Sequence, residues 1–365
     1  MNKIALYIPS MNGGGAERVM LALANGLAEK DIQVDLLLNR VDGPYLKDAS
    51  KKVNIVNLNT SRTLRSILPL AKYLRTERPN AILSAMNYVN IVTVMAKLIS
   101  NSDTKVIVSE HINLTESNKS SSTITHHILK LLMSYTYNKA DKIVAVSNGV
   151  AESLIHEINI EANKLTTIYN PIFSEDLVRR SDEPVSHPWL NENALPLVLA
   201  VGRLTHQKDF ATLIHAFKKV LKNKACNLII LGEGELRCEL EKLIKDLNLQ
   251  DNVQLPGFVN NPYAWMSKAD LFVLSSIYEG FGNVLVEAMA CGTPVVSTDC
   301  PSGPSEILEN GRWGSLVPTN DPDSLAEAIL KALNNTKFKS ELVKKRAEDF
   351  SVDNSLSGYI AVFAP

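Results

Sequence analysis

Cysteine is scarce in this chain. The four present, Cys226, Cys238, Cys291 and Cys300, all fall in the second half and show neither C-x-x-C nor zinc-like spacing. That excludes a disulfide framework and a zinc module, and makes reduced thiols the expectation. No apolar run approaches the roughly 20 residues of a membrane span. The opening Met1-Asn-Lys leads only into the short run Ile4 to Pro9, so no signal peptide is expected and the chain reads as cytoplasmic. Repeats of solenoid period and low-complexity tracts are absent. No nucleic-acid partner is expected. D-x-D occurs once, as Asp321-Pro-Asp323 ahead of a helical segment, where it reads as a helix cap. No metal site and no cofactor are expected.

What is present is α/β in character. At 365 residues and 45% hydrophobic, with 21% charged, the chain is long enough for two α/β domains and too long for one ordinary core. Apolar runs of strand length alternate with helix-period segments, the pattern of parallel sheets covered by helices on both faces. In the first half, Ile4 to Ile8, Val34 to Leu38, Ala81 to Ser84, Val106 to Ser109 and Lys142 to Val146 read as strands. The helix Ala16 to Lys30 between the first two carries Val19, Ala22, Leu23, Gly26 and Leu27 on one face. The rhythm restarts in the second half, with strands at Leu197 to Val201, Leu228 to Leu231, Val253 to Leu255, Leu271 to Leu274 and Val295 to Ser297. Helices are expected over Phe210 to Lys222, Leu236 to Leu247, Val284 to Cys291 and Asp323 to Leu333. The expected organisation is a first Rossmann-like domain over 1–170, a linker over 171–196 marked by Pro184, Pro188 and Pro196, a second over 197–350, and a helix within 351–365. Two doubly wound domains in tandem put a cleft between them, lined by strand carboxyl ends.

Charge is uneven. Residues 1–170 hold 19 basic and 14 acidic side chains, and the remainder 19 and 25. A basic first domain suits an anionic membrane or a phosphorylated acceptor, or is simply solvated surface.

Three constellations carry chemistry. Glu279-Gly-Phe-Gly-Asn-Val-Leu-Val-Glu287 stands where a strand turns into a helix. Its glycines let a ligand approach the backbone, Asn283 is the expected N-cap, and Glu287 falls about one turn inside the helix, placed to accept from sugar hydroxyls. The alternative is two surface glutamates. Gly13-Gly-Gly15 follows the first strand, the position of a phosphate-binding turn, yet it does not fit G-x-G-x-x-G and no acidic residue ends the second strand; a nicotinamide enzyme is disfavoured. A tight turn with no ligand is the other reading. Gly202-Arg-Leu-Thr-His-Gln-Lys208 follows the first strand of the second half, where Arg203 and Lys208 can hold a diphosphate or be solvated cations.

Together with Leu231-Gly-Glu-Gly-Glu235 and Leu255-Pro-Gly-Phe258, these motifs resemble, in order and spacing over nearly the whole chain, the retaining glycosyltransferases of family 4, which have the GT-B fold. Cys291-Gly-Thr-Pro294 and Asp299 to Glu306 are most similar to the branch that moves N-acetylhexosamines, N-acetylgalactosamine above all, onto lipid-linked or surface glycans. The resemblance implies that Arg203 and Lys208 hold the donor diphosphate, Glu287 the ribose and Glu279 the sugar. Backbone around Phe281, Gly282 and Asn283 would bind sugar and phosphate, Gly257 and Phe258 would lie along the uracil with Gly232 nearby, and Gly14 and Gly15 would let the first domain close over the phosphates. His111, in Ser109-Glu-His111, matches a histidine at the reacting sugar; on its own a lone histidine can equally be structural. The implied partners are a UDP-sugar as substrate and a glycan acceptor on a polyprenyl diphosphate. The implied chemistry needs no metal, because the clamped diphosphate itself takes the acceptor proton.

For the acceptor, the helix Ile128 to Tyr135 places Ile128, Leu131, Leu132 and Tyr135 on one face beside Lys130 and Lys139, which suits core packing or contact with the inner face of the cytoplasmic membrane. A sugar-nucleotide 2-epimerase of the same architecture, or a non-catalytic sugar-nucleotide binding protein, are the rival functions.

Overall fold

The computed structural model describes residues 3–119, 124–191, 194–335 and 340–364. They form two compact units, one of residues 1–171 with 352–365 and one of residues 172–351.

The first unit is built on a seven-stranded parallel sheet: β1 (Lys3–Ile8), β2 (Gln33–Leu38), β3 (Val53–Asn57), β4 (Ala81–Ala85), β5 (Lys105–Glu110), β6 (Lys142–Ala145) and β7 (Leu165–Thr167), in the order β3-β2-β1-β4-β5-β6-β7. The central strand β1 is apolar along almost its whole length because helices cover both faces. Ile4, Leu6 and Ile8 pack with Met20, Leu23 and Leu27 of the helix Gly15–Glu29 and with Leu356, Tyr359 and Phe363 of the helix Val352–Phe363. Gly26 is what lets those helices touch: a Cβ there would collide with the Leu356 side chain.

The second unit has a six-stranded parallel sheet: β8 (Leu197–Val201), β9 (Asn227–Leu231), β10 (Val253–Gly257), β11 (Leu271–Leu274), β12 (Val295–Thr298) and β13 (Ser315–Val317), in the order β10-β9-β8-β11-β12-β13. Val198, Ala200, Leu228, Ile230 and Val273 bury against Leu213 and Phe217 of the helix Phe210–Leu221 and Ile329 of the helix Pro322–Leu333. The caps follow the sequence. Asp209 accepts from the Thr212 amide, and Asp321 accepts from the Asp323 and Ser324 amides, so the first acid of the D-x-D is a helix cap.

Two local expectations are corrected. Asn283 is the first residue of the helix Asn283–Ala290 and not its cap; the cap position is Gly282, whose φ of 96° no β-carbon residue adopts comfortably. Within 171–196, expected as irregular linker, lies the helix Glu175–Ser181, capped by Ser174 and bearing Glu175 and Asp176 in its first turn and Arg179 and Arg180 in its last. It is docked on the second unit: Ser267 Oγ donates to the Ser181 carbonyl at 2.6 Å and the Arg180 guanidinium lies 5.2 Å from the Tyr263 ring. Only two turns long, it has no sustained apolar period to betray it.

Candidate active site

In a doubly wound sheet, ligands bind at the strand carboxyl ends where the chain reverses its winding direction. In the second unit that point lies between β8 and β11, because β9 and β10 add on one side and β12 and β13 on the other. The two loops leaving it are 202–208 and 275–283, the two richest motifs of the sequence. They are joined by an ion pair, Lys208 Nζ to Glu279 Oε1 at 2.5 Å, with the side chains only 17% and 9% exposed. Ser276, wholly buried, donates to the same carboxylate oxygen at 2.6 Å, and Ser275 donates to the Lys208 carbonyl at 2.8 Å. Gln207 adds a bond to the Tyr278 carbonyl at 2.9 Å. Arg203, on the same loop, is exposed and takes no part in this network.

Glu287 lies one turn into the helix Asn283–Ala290 and is 2% exposed. Phe281 is buried with its ring 5.4 Å from that of Phe350, so its side chain packs the unit. The backbone is tightly constrained: Gly303, at φ 99°, lies so close that a Cβ would strike the Phe281 carbonyl. Gly232, at φ 144°, meets the Gly202 carbonyl in the same way, and its amide donates to the Gly257 carbonyl at 2.9 Å. Gly257 ends β10, and Phe258 beyond it is half exposed. Around Glu279, burial raises the Cys300 thiol well above its usual range, with the Glu279 charge adding to the effect, so that cysteine is inert.

The first unit reverses winding between β1 and β4. Gly13, Gly14 and Gly15 leave β1; the Tyr45 hydroxyl donates to the Gly13 carbonyl at 3.2 Å and accepts from Arg18 Nη2 at 2.6 Å. A Cβ at Gly14 would collide with the Glu17 carboxylate. One strand further along, β5 ends in Glu110, followed by His111. Ser109 Oγ lies 2.9 Å from His111 Nε2 and 3.5 Å from the Tyr359 hydroxyl. With Ser109 donating, Nε2 accepts and Nδ1–H is left as a donor. Burial pushes the imidazole down to about 4, so it is neutral at physiological pH. Sequence reasoning found His111 but not its support, Glu110, Tyr137, Asn90 and Tyr359. The only signal was Glu110 itself, an acid inside an apolar strand.

Of the expected residues, then, Lys208 and Glu279 are in contact, Arg203 shares the loop of Lys208, and Phe281, Gly282, Asn283 and Glu287 lie on the loop of Glu279 and the helix that follows it. Gly232, Gly257 and Phe258 follow along neighbouring strand ends, while Gly14, Gly15 and His111 belong to the other unit. Among the described residues, no three His, Cys, Asp or Glu side chains are grouped to hold a metal ion.

Comparison with known proteins decides the family. The model for glycosyl transferases group 1 matches residues 185–349, and that for glycosyltransferase family 4 matches residues 13–175. The N-acetylgalactosamine-N,N'-diacetylbacillosaminyl-diphospho-undecaprenol 4-alpha-N-acetylgalactosaminyltransferase of Campylobacter jejuni is 31% identical over 96% of this chain and 96% of its own length. The chain belongs to glycosyltransferase family 4. A second enzyme from the same organism, an alpha-1,4-N-acetyl-D-galactosaminyltransferase acting on a GalNAc-containing diNAcBac-PP-undecaprenol, is 27% identical over 100% of this chain and 99% of its own. Among solved structures, Anabaena HepE in complex with UDP-glucose superposes with a TM-score of 0.81 at 21% identity, covering 99% of this chain and 100% of that one. This family 4 enzyme is a hexosyltransferase, and its two parallel-sheet Rossmann-like units are those of the GT-B fold.

Proposed function

We propose that this glycosyltransferase moves N-acetylgalactosamine from UDP-N-acetylgalactosamine to a glycan carried on a polyprenyl diphosphate, in bacterial surface-polysaccharide or glycoprotein-glycan synthesis, with retention of configuration. The observation that carries the reading is the Lys208–Glu279 pair at the winding reversal of the second unit, where a cation for phosphate and a carboxylate for sugar hydroxyls already touch. Both Campylobacter relatives are named as N-acetylgalactosaminyltransferases of undecaprenyl-diphosphate-linked glycans, which supports the sugar and the lipid carrier.

The residues supply the chemistry as follows. Arg203 forks onto diphosphate oxygens and Lys208 adds a point charge; the amides of Gly282 and Asn283, at a helix start, complete the anion site. As the sugar–phosphate bond lengthens, negative charge grows on the leaving oxygen, and these fixed positive groups stabilise it more in the transition state than in the ground state. The leaving phosphate accepts the acceptor proton on the face it departs from, which retains the configuration. No divalent ion is required for that. Glu279 and Glu287 orient sugar and ribose, and His111, neutral, donates to the reacting sugar.

For the acceptor carrier, Ile128, Leu131, Leu132 and Tyr135 of the helix Ile124–Tyr137 are 42 to 72% exposed, with Lys139 over the Tyr135 ring at 4.9 Å. That stripe is not core packing. Lys130 is paired with Glu157, which leaves Lys139 as the cation beside the stripe; exposed apolar side chains with a lysine at their edge suit the surface of an anionic bilayer, making the enzyme peripheral on the cytoplasmic face.

The test is incubation of pure enzyme with UDP-N-acetylgalactosamine and a polyprenyl-diphosphate-linked oligosaccharide in the presence of EDTA. UDP release with an α-linked product is expected. An isomerised nucleotide sugar without UDP release means a 2-epimerase, tight binding without turnover means a binding module, and activity that only manganese restores refutes the metal-free leaving group.

A further inference from the structure

Glu110 is wholly buried at the end of β5. It stands beside His111 but forms no ion pair with any described cation. Its environment is made of donors. Oε1 accepts from the His111 amide at 3.0 Å, the Ile112 amide bonds the same carboxylate, and Oε2 accepts from the Tyr137 hydroxyl at 2.8 Å. Tyr137, wholly buried, is in turn held by Asn90 Nδ2 at 2.8 Å, which also donates to the Ser109 carbonyl at 2.9 Å. Asn90 Oδ1 accepts from Ser84 in β4 at 2.8 Å. The network thus runs from the strand beside the winding reversal, through the helices Asn87–Ser100 and Ile124–Tyr137, to the two amides that set the course of the chain at His111. The titratable groups around Glu110 are Tyr137 from one helix, Tyr359 from another by way of Ser109, and His111 itself.

A carboxylate is an expensive way to fill this position. Burial pushes the acid up to about 7, the opposite of what a favourable charge site does, and the bonds from Tyr137 and the two amides only partly offset it. A neutral side chain would cost the fold less. What the carboxylate offers, and an amide cannot, is acceptors for all three donors at once: a glutamine has one acceptor oxygen and turns an NH2 toward one of them. Buried charge kept at a cost to stability marks a role in function.

We propose that Glu110 is a positioning residue whose carboxylate clamps two successive amides so that His111 meets the reacting sugar in a fixed orientation. The inference rests on the reading of His111 given above, and goes beyond it in naming the group through which His111 is held.

The test compares E110Q, H111A, Y137F and the double variant E110Q/H111A for transferase kcat, donor KM and melting temperature at pH 5 and pH 8. H111A lowers kcat about 100-fold, as expected for loss of a transition-state donor. At pH 8, where Glu110 is ionised, E110Q and Y137F each lower kcat about 10-fold with donor KM unchanged, while at pH 5, where it is protonated, E110Q and wild type converge; E110Q/H111A is no slower than H111A at either pH, because residues acting as one unit are not additive. Stability moves the other way. A carboxyl whose folded pKa exceeds its unfolded one of about 4.3 weakens the fold as pH rises from there through about 7, so E110Q gains about 5 °C or more on wild type at pH 8 and little at pH 5. E110Q turning over at the wild-type rate at pH 8, or the two losses multiplying in the double variant, overturns the proposal. H111A at the wild-type rate removes the underlying reading of His111, and with it any role for Glu110 through that residue. Y137F separates the clamp from the charge should E110Q fail to fold.

Discussion

Replacing Lys208 by methionine and Glu279 by glutamine, singly and together, probes whether the second unit's two motifs are energetically one site. The pair is almost desiccated, with side chains 17% and 9% exposed and 2.5 Å between charges. Removing one partner of such a pair strands the other charge in low dielectric, at a cost of about 3–5 kcal/mol. The lower end applies here, because Lys208 keeps some solvent and Glu279 keeps the Ser276 hydroxyl at 2.6 Å. For a unit of 180 residues, about 3 kcal/mol corresponds to a melting shift of roughly 6–12 °C. The double variant leaves no stranded charge and melts near wild type; with each single loss at about 3 kcal/mol that is a coupling of about 6 kcal/mol, well beyond what unlinked sites give. Differential scanning fluorimetry supplies the melting temperatures. Rate and stability then part company. The double variant regains the fold but not the diphosphate cation, so its kcat/KM stays about 100- to 1000-fold down, the cost typical of losing one charge-stabilising group. If the single variants melt with wild type, or the double variant falls by the sum of both, the two loops are not coupled and the site is misread.

Arg203, exposed and outside that network, behaves differently: R203A leaves the melting temperature unchanged and weakens UDP-sugar binding about 10- to 100-fold, by the loss of charge-assisted hydrogen bonds, as read by calorimetry with UDP. G303A forces a side chain into φ 99° against the Phe281 carbonyl; displacing the 281–283 turn lowers donor affinity and costs about 1–3 kcal/mol in backbone strain alone, seen in denaturant melts. H111Q tests the depressed imidazole. A histidine whose folded pKa is about 4 contributes stability that is present above its unfolded value near 6.5 and lost as pH falls from there toward 4, so the wild type should lose ground to H111Q over that window in pH-dependent melts. L131E/Y135E on the exposed stripe abolishes flotation with anionic vesicles while sparing turnover of a water-soluble acceptor; unchanged flotation refutes the membrane contact.

How much of this was legible in the sequence follows from where each residue's physics is local. Central strands such as β1 and β9 are buried on both faces and write themselves as unbroken apolar runs, and their ends matched expectation within a residue. The three strands not foreseen, β3, β7 and β13, are all at sheet edges, where one side is half solvated. Val53-Asn-Ile-Val-Asn57 mixes polar and apolar residues, and β7 and β13 have three residues each, too short for any period to show. The site divides in the same way. Lys208 and Glu279 were readable because loop chemistry at a strand end must be carried by a few residues in sequence, yet their contact was not, since it depends on β8 and β11 being neighbours across 70 residues of chain. The same holds for Ser276 and for the Glu110 network, whose members come from β4, β5 and two helices. What the linear chain did offer at Glu110 was a contradiction: a carboxylate in the run Val106-Ile-Val-Ser-Glu110, where every neighbour argues for burial. A charge that burial disfavours persists in a packed strand only if something outside the core needs it, and the nearest such thing is the histidine that follows.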